Sequence, residues 1–131
     1  MESNRSKYRN IPTTRKVKGT VIRFPSQKEA CRYDELILML RAGKIRNLKL
    51  QPEYTLQEAF TTPEGERIKA LRYRADFSYE KWGTEPVPEI SPGTYRETWT
   101  PVIEDVKGVR TKVYLMKRKL MQEKGYTIQE I

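Results

Sequence analysis

The hydrophobic and polar positions of the chain predict two helices. The first is the clearer one: Ser26-Gln-Lys-Glu29 matches a capping box, and apolar residues then recur at helical spacing between Ala30 and Leu40. Gly43 is well suited to end this helix, because glycine adopts the left-handed conformation of a C-terminal cap without strain.

The second predicted helix covers residues 111–123 and is ended by Gly125. Its periodicity predicts that Val113, Met116 and Leu120 face inward. Another face carries Tyr114, Lys117 and Arg118.

Five segments have the pattern of strands: residues 20–24, 48–56 with a kink at Pro52, 68–79, 99–107 and 126–131. In the third, one face is predicted to carry Tyr73, Ala75, Phe77 and Tyr79, and the other Arg72, Arg74, Asp76 and Ser78. After a short first strand the order is α-β-β-β-α-β, in which three strands can form a meander and the second helix allows a crossover to a parallel strand. We therefore predict an α/β fold with a mixed sheet and helices packed on it.

Residues 81–96 contain three prolines and two glycines, which predicts a long loop or an irregular hairpin tip. Trp82 and Trp99 flank this segment. They either close its base or stack on a nucleobase.

Composition favours a polyanionic partner. The 131 residues fit one domain, and 26 basic against 17 acidic residues give a formal charge of +9. Residues 1–19, with Lys7 and Arg9 among their basic side chains, are predicted to form a flexible arm that lies along phosphates, ahead of a single domain over 20–131. A solvated arm and an ordinary basic surface are the alternatives.

The chain has no histidine and one cysteine, Cys31. This excludes histidine-based catalysis, His-ligated or Cys-rich metal sites and an internal disulfide. An enzyme of this composition would work with carboxylates, lysines, tyrosines or a metal held by oxygen, such as Mg²⁺ or Mn²⁺. The sequence contains no membrane-span or signal-peptide pattern, so we expect a cytoplasmic protein without a membrane partner.

Carboxylates on predicted strands are the candidate chemistry. Asp105 and Lys107 share a strand face in Pro101-Val-Ile-Glu-Asp-Val-Lys-Gly108, and Asp76 lies on the preceding strand. The pair of Asp105 and Lys107 is either an ion pair or a metal ligand beside the group that handles an attacking water. A divalent cation between two carboxylates would relieve their repulsion and polarise a phosphodiester, with Lys107 orienting the water.

These motifs resemble the PD-(D/E)XK nuclease superfamily, including small phage-encoded endonucleases and Holliday-junction-resolvase-like domains. The matching segments are residues 26–30, 50–52, 73–77 and 104–108, in that order. The resemblance implies a restriction-endonuclease-like core. Asp76 matches the first acidic position, although Ala75 stands where proline is common, and Asp105-Val106-Lys107 matches the D/E-X-K element.

The resemblance also assigns roles to individual residues. Mg²⁺ would be held by Glu29, Asp76, Asp105 and the Val106 carbonyl, with Lys107 as the catalytic lysine and Gln51 in support. Glu29 has the capping box as its alternative role, and Glu104 would replace Asp105 if the strand were shifted by one residue.

The implied activity is a Mg²⁺-dependent endodeoxyribonuclease that selects DNA by shape, including branched DNA, as a homodimer. Besides the arm, the residues expected to contact DNA are Arg72, Arg74, Tyr114, Lys117 and Arg118. The alternatives are a non-catalytic nucleic-acid-binding module and a structural phage component with buried ion pairs.

Overall fold

The computed structural model describes residues 11–106 and 110–131, and these described residues form two compact units with the boundary between Ile45 and Arg46. The elements of the first unit are β1 (Thr13–Val17), β2 (Thr20–Phe24) and α1 (Gln27–Arg41). The chain then continues through β3 (Ile45–Leu50), β4 (Glu53–Gln57), β5 (Phe60–Thr61), β6 (Arg67–Ile68), β7 (Leu71–Arg74), β8 (Phe77–Pro86), β9 (Tyr95–Asp105), α2 (Lys112–Glu123) and β10 (Ile128–Glu130).

The first unit begins with a hairpin that the sequence analysis missed. Strands β1 and β2 pair antiparallel through a two-residue turn, in which Lys18 and Gly19 have φ values of 50° and 82°. Positive φ at both positions fits a turn whose twist matches that of the strands. Residues Thr13–Val17, which were predicted to belong to a flexible arm, therefore form a strand. Lys7 and Arg9 of the predicted arm lie outside the described residues.

Helix α1 begins as predicted. The Ser26 hydroxyl accepts a hydrogen bond from the Glu29 backbone N–H at 3.1 Å, which confirms the cap. The rings of Phe24 and Tyr33 lie 5.0 Å apart and tie the hairpin to the helix. Gly43 follows the helix with a φ of 76°, as a C-terminal cap requires.

The second unit is built on a four-stranded sheet in the order β10-β9-β8-β3. Strands β8 and β9 are antiparallel, and β10 lies parallel to β9 after the α2 crossover, which confirms the predicted mixed sheet. Two predicted strands are each divided: Gln51, with a φ of 50°, separates β3 from β4, and Ala75-Asp76 separates β7 from β8. The small strands pair separately, β4 with β7 and β5 with β6.

The segment predicted as a long loop or hairpin tip is a long hairpin. Strands β8 and β9 pair continuously from Phe77 opposite Glu104 to Pro86 opposite Tyr95. Residues 87–94 form the tip and contain Pro88, Pro92 and Gly93, whereas Gly83 and Pro86 lie within β8.

Helix α2 confirms its predicted position but not its predicted inward face. Val113 is 57% exposed and Met116 is 50% exposed, whereas Tyr114 and Met121 are buried. The helix turns this way because the Tyr114 ring packs 6.3 Å from that of Tyr73. The buried cluster comprises Leu56, Tyr73, Ala75, Ile103, Tyr114, Met121 and Ile128, with Leu120 partly buried against it. Within residues 11–106 and 110–131, no helix is long and apolar enough to cross a bilayer.

Candidate carboxylate site

The pairing between β8 and β9 is irregular at Asp76. Phe77 stands opposite Glu104, and the Asp76 N–H also donates to the Glu104 carbonyl at 3.0 Å. Two residues thus oppose one, as in a β-bulge, and such an irregularity redirects the side chains around it.

The bulge reverses the face that the buried residues occupy. The Tyr73 hydroxyl donates to Asp105, whereas the Tyr79 hydroxyl donates to Glu104. Glu104 and Asp105 are consecutive on β9, so they point to opposite faces of the sheet, and their tyrosine partners must do the same. The prediction that Tyr73 and Tyr79 share a face is therefore wrong, because it assumed an uninterrupted strand.

Asp76 is fixed at this position by three hydrogen bonds. Besides its N–H contact with Glu104, its carbonyl accepts from the Gln51 N–H at 2.9 Å. Its side-chain Oδ2 accepts from the Val106 N–H at 2.6 Å. Asp76, the aspartate of the first predicted motif, therefore contacts Val106, the middle residue of the second motif, Asp105-Val106-Lys107.

Asp105 is 3% exposed and lies on the face of the buried cluster. The pKa of the Tyr73 phenol is raised above its ordinary value, first of all by burial of the ring. Its hydrogen bond to Asp105 and the charges of Asp105 and Asp76 raise it further. Tyr73 is consequently a neutral donor that stabilises the Asp105 carboxylate.

Glu104 is completely buried on the opposite face, where Tyr79 donates to it. A carboxylate can be accommodated in such a place only when hydrogen bonds replace its lost hydration. The sequence did not lead us to predict that Tyr73 and Tyr79 donate to these carboxylates. Their position on the same predicted strand segment as Asp76 could have indicated this.

The donor set of this site suits a hard cation. Among the described residues, no three His, Cys, Asp or Glu side chains are grouped so that they could hold a metal ion. Magnesium, however, needs only one or two protein carboxylates and keeps several waters, which Asp76 and Asp105 together with the Val106 carbonyl could complement. Lys107 lies outside the described residues, and Glu29 is buried in α1 of the first unit, so its role at the metal stays a prediction.

Gln51 lies beside Asp76 through its backbone. Its φ of 50° is uncommon for a residue with a side chain, and such a conformation costs about 1–3 kcal/mol, so it persists only where its surroundings offset that cost. Here the Gln51 N–H bonds the Asp76 carbonyl, and the Pro52 carbonyl accepts from the Ala75 N–H at 3.0 Å. The turn thus braces the bulge that carries Asp76, while the Gln51 side chain is exposed.

The residues predicted to contact DNA have different surroundings. Arg72 and Arg74 are exposed on β7. Tyr114 is buried and donates to Glu130 at 2.7 Å, and Arg118 pairs with the same carboxylate at 2.8 Å, while Lys117 is half-buried. The pKa of Glu130 is lowered by hydrogen bonds from Tyr114 and Arg110 and by the charge of Arg110. Glu130 was not among the residues predicted from the sequence.

Comparison with known protein families gives a match over nearly the whole chain. A family model described as a protein of unknown function (DUF1064) matches residues 5–130. No curated protein and no solved structure shows significant similarity. The chain belongs to the DUF1064 family.

Proposed function

We propose that this protein is a Mg²⁺-dependent endodeoxyribonuclease whose active site forms around Asp76 and Asp105. The observation that carries the proposal is the 2.6 Å hydrogen bond from the Val106 N–H to the Asp76 carboxylate. It joins the two acidic motifs that are far apart in sequence, at the residue that precedes Lys107.

The surrounding interactions support a carboxylate pair held ready for a cation. The Tyr73 hydroxyl fixes one Asp105 oxygen, and the Gln51 and Val106 backbone amides fix Asp76. Ligands fixed in this way need little rearrangement when a cation binds. The net charge of +9 supports a polyanionic substrate.

Each residue of the proposed active site would have its own role. Asp76, Asp105 and the Val106 carbonyl would hold Mg²⁺, which when bound polarises the phosphodiester and acidifies a water. Lys107 would orient this water and stabilise charge on the phosphate oxygens, and exposed Arg72 and Arg74 would bind the DNA backbone. The products would be a 5′-phosphate and a 3′-hydroxyl.

The test is cleavage of end-labelled duplex, single-stranded and four-way-junction DNA in Mg²⁺ or Mn²⁺. The proposal predicts cutting that EDTA abolishes and that Asp105→Ala removes. Metal-dependent binding without cutting on every substrate would instead support a non-catalytic binding module.

The resemblance to junction-resolving nucleases extends the proposal to branched DNA and to a homodimer. Two active sites related by symmetry could cut both strands of a junction in a coordinated way. Faster cutting of the junction than of a duplex with the same arm sequences, by a species of dimeric mass in light scattering, is expected. Equal rates on both substrates would remove the structural selectivity.

A further inference from the structure

One face of the β8–β9 hairpin carries side chains that the proposed active site does not use. The register aligns three cross-strand pairs: Ser78 with Ile103, Glu80 with Pro101 and Trp82 with Trp99. Alternate residues of a strand share a face, so these pairs lie on the same side of β9 as Asp105. This face, named the Trp–Asp105 face below, continues from the carboxylate site toward the hairpin tip.

Its outer end is an aromatic platform with a fixed cation. Trp82 is 43% exposed, and the Arg46 guanidinium carbon lies 4.3 Å from the ring centre of Trp99. Glu80 holds Arg46 in place by accepting from its Nε at 2.6 Å, and accepts from the Asn47 amide at 2.7 Å. These hydrogen bonds lower the pKa of Glu80, so its carboxylate stays charged and keeps Arg46 beside the ring.

Its middle is a cavity of about 580 Å³, within the size range of ligand sites. The rings of Tyr54 and Tyr126 line it, with their centres 5.2 Å apart, and exposed Lys49 borders it. Ser78, Glu80 and Ile103 also line the cavity, which places it between the tryptophan pair and Asp105 along β9.

Exposed aromatic rings alternating with cations are the combination that binds unpaired nucleotides. Bases stack on the rings, while Arg and Lys contact the phosphates. In a duplex the base faces are already stacked on one another. From Trp99 to Asp105 the strand advances by six residues, or about 20 Å, which is long enough for several nucleotides.

We infer that the Trp–Asp105 face binds single-stranded DNA and leads it toward Asp105. Trp82 and Trp99 would stack the outer base, Tyr54 and Tyr126 the inner one, and Lys49 would contact the phosphate between them. The direction of the strand toward the carboxylates rests on the proposed nuclease function, whereas the binding itself does not.

The experiment measures binding in EDTA, where metal-dependent cutting cannot occur. The chain has two tryptophans, both on this face, so their intrinsic fluorescence reports stacking directly. Oligothymidylate should quench it saturably, and inorganic polyphosphate, which has charge but no bases, should not.

Variants are then compared by the anisotropy of fluorescein-labelled oligothymidylate. Trp82→Ala should weaken binding by roughly tenfold, and Trp82→Phe, which retains a ring, should restore most of it. Lys49→Gln should reduce the slope of log affinity against log salt by about 0.7. Phe60→Ala removes an exposed aromatic ring from the separate β5–β6 ladder and should change nothing.

Quenching by polyphosphate as strong as that by oligothymidylate would overturn the inference. Equal affinities of Trp82→Ala, Phe60→Ala and the wild type for labelled oligothymidylate would also overturn it. Tighter binding to duplex than to single strands would also contradict it. Stacking-dependent binding without cutting in Mg²⁺ would refute only the proposed nuclease function.

Discussion

The two consecutive carboxylates at the end of β9 lie in contrasting environments. Asp105 and Glu104 are both buried, and each accepts a hydrogen bond from a tyrosine. The partner of Asp105, Tyr73, is also subject to the charge of Asp76. Glu104 instead faces the opposite side of the sheet with Tyr79.

This contrast shows that local sequence alone does not determine which of the two carboxylates lies on the face of Tyr73. A shift of one residue would exchange the faces of Glu104 and Asp105. The bulge at Asp76 and the pairing of Phe77 with Glu104 fix the register, and the Asp76–Val106 hydrogen bond locks it. The proposed function accordingly places the cation on the Asp105 face and gives Glu104 a structural role.

The largest effect is expected from Asp76→Asn. The amide oxygen can still accept from the Val106 N–H, so the fold should be retained, but the charge that would bind the cation is lost. Cleavage in Mg²⁺ should fall on the order of 100- to 1,000-fold. Gel-based rates, with circular dichroism to verify folding, measure this, and wild-type rates would eliminate Asp76 from the site.

Asp105→Asn and Glu104→Gln form a matched pair that tests the two faces directly. Both replacements keep an oxygen for the tyrosine hydroxyl and remove one charge. Cleavage should fall about 100-fold in Asp105→Asn and by less than about fivefold in Glu104→Gln. The reverse order would move the active site to the Glu104 face.

Tyr73→Phe and Tyr79→Phe test the hydroxyl donors. Each removes a hydrogen bond to a buried carboxylate, which should lower the free energy of unfolding by about 1–3 kcal/mol in urea titrations. Only Tyr73→Phe should also change Mn²⁺ affinity. Identical effects of the two variants on metal affinity would remove the functional difference between the faces.

The dependence of stability on pH is the smallest expected effect. The pKa of Tyr73 is raised above its ordinary value of 10.0, mainly by burial. The native state therefore keeps the phenol proton longer than the unfolded state, so this contribution is complete below pH 10 and is lost as the pH rises further. Urea midpoints at pH values on either side of 10 should decline in the wild type and less steeply in Tyr73→Phe.

Much of the fold could be predicted from local signals. Ser26 and Gly43 bound α1 because capping chemistry acts within a single turn, and the crossover to a parallel β10 follows from a helix between two strands. The hairpin β1–β2 was missed because Lys18-Gly19 lies among basic residues that resemble a solvated arm.

The site was less predictable because it depends on pairing between distant strands. Asp105 lies on a strand as predicted, whereas Asp76 lies in the break between β7 and β8. No pattern within the segment 68–79 revealed the bulge, which arises from pairing with Glu104 and bracing by Gln51. The inward face of α2 was mispredicted for the same reason, since Tyr73 and Glu130 determine it from elsewhere in the chain.

The most direct measurement is Mn²⁺ binding to the full chain. Binding is monitored by calorimetry and by the paramagnetic resonance signal of the free ion. The account predicts a saturable site in the wild type that Glu104→Gln retains and that Asp76→Asn and Asp105→Asn each weaken by at least about tenfold. Equal Mn²⁺ affinity in all four proteins would contradict a cation site built on Asp76 and Asp105.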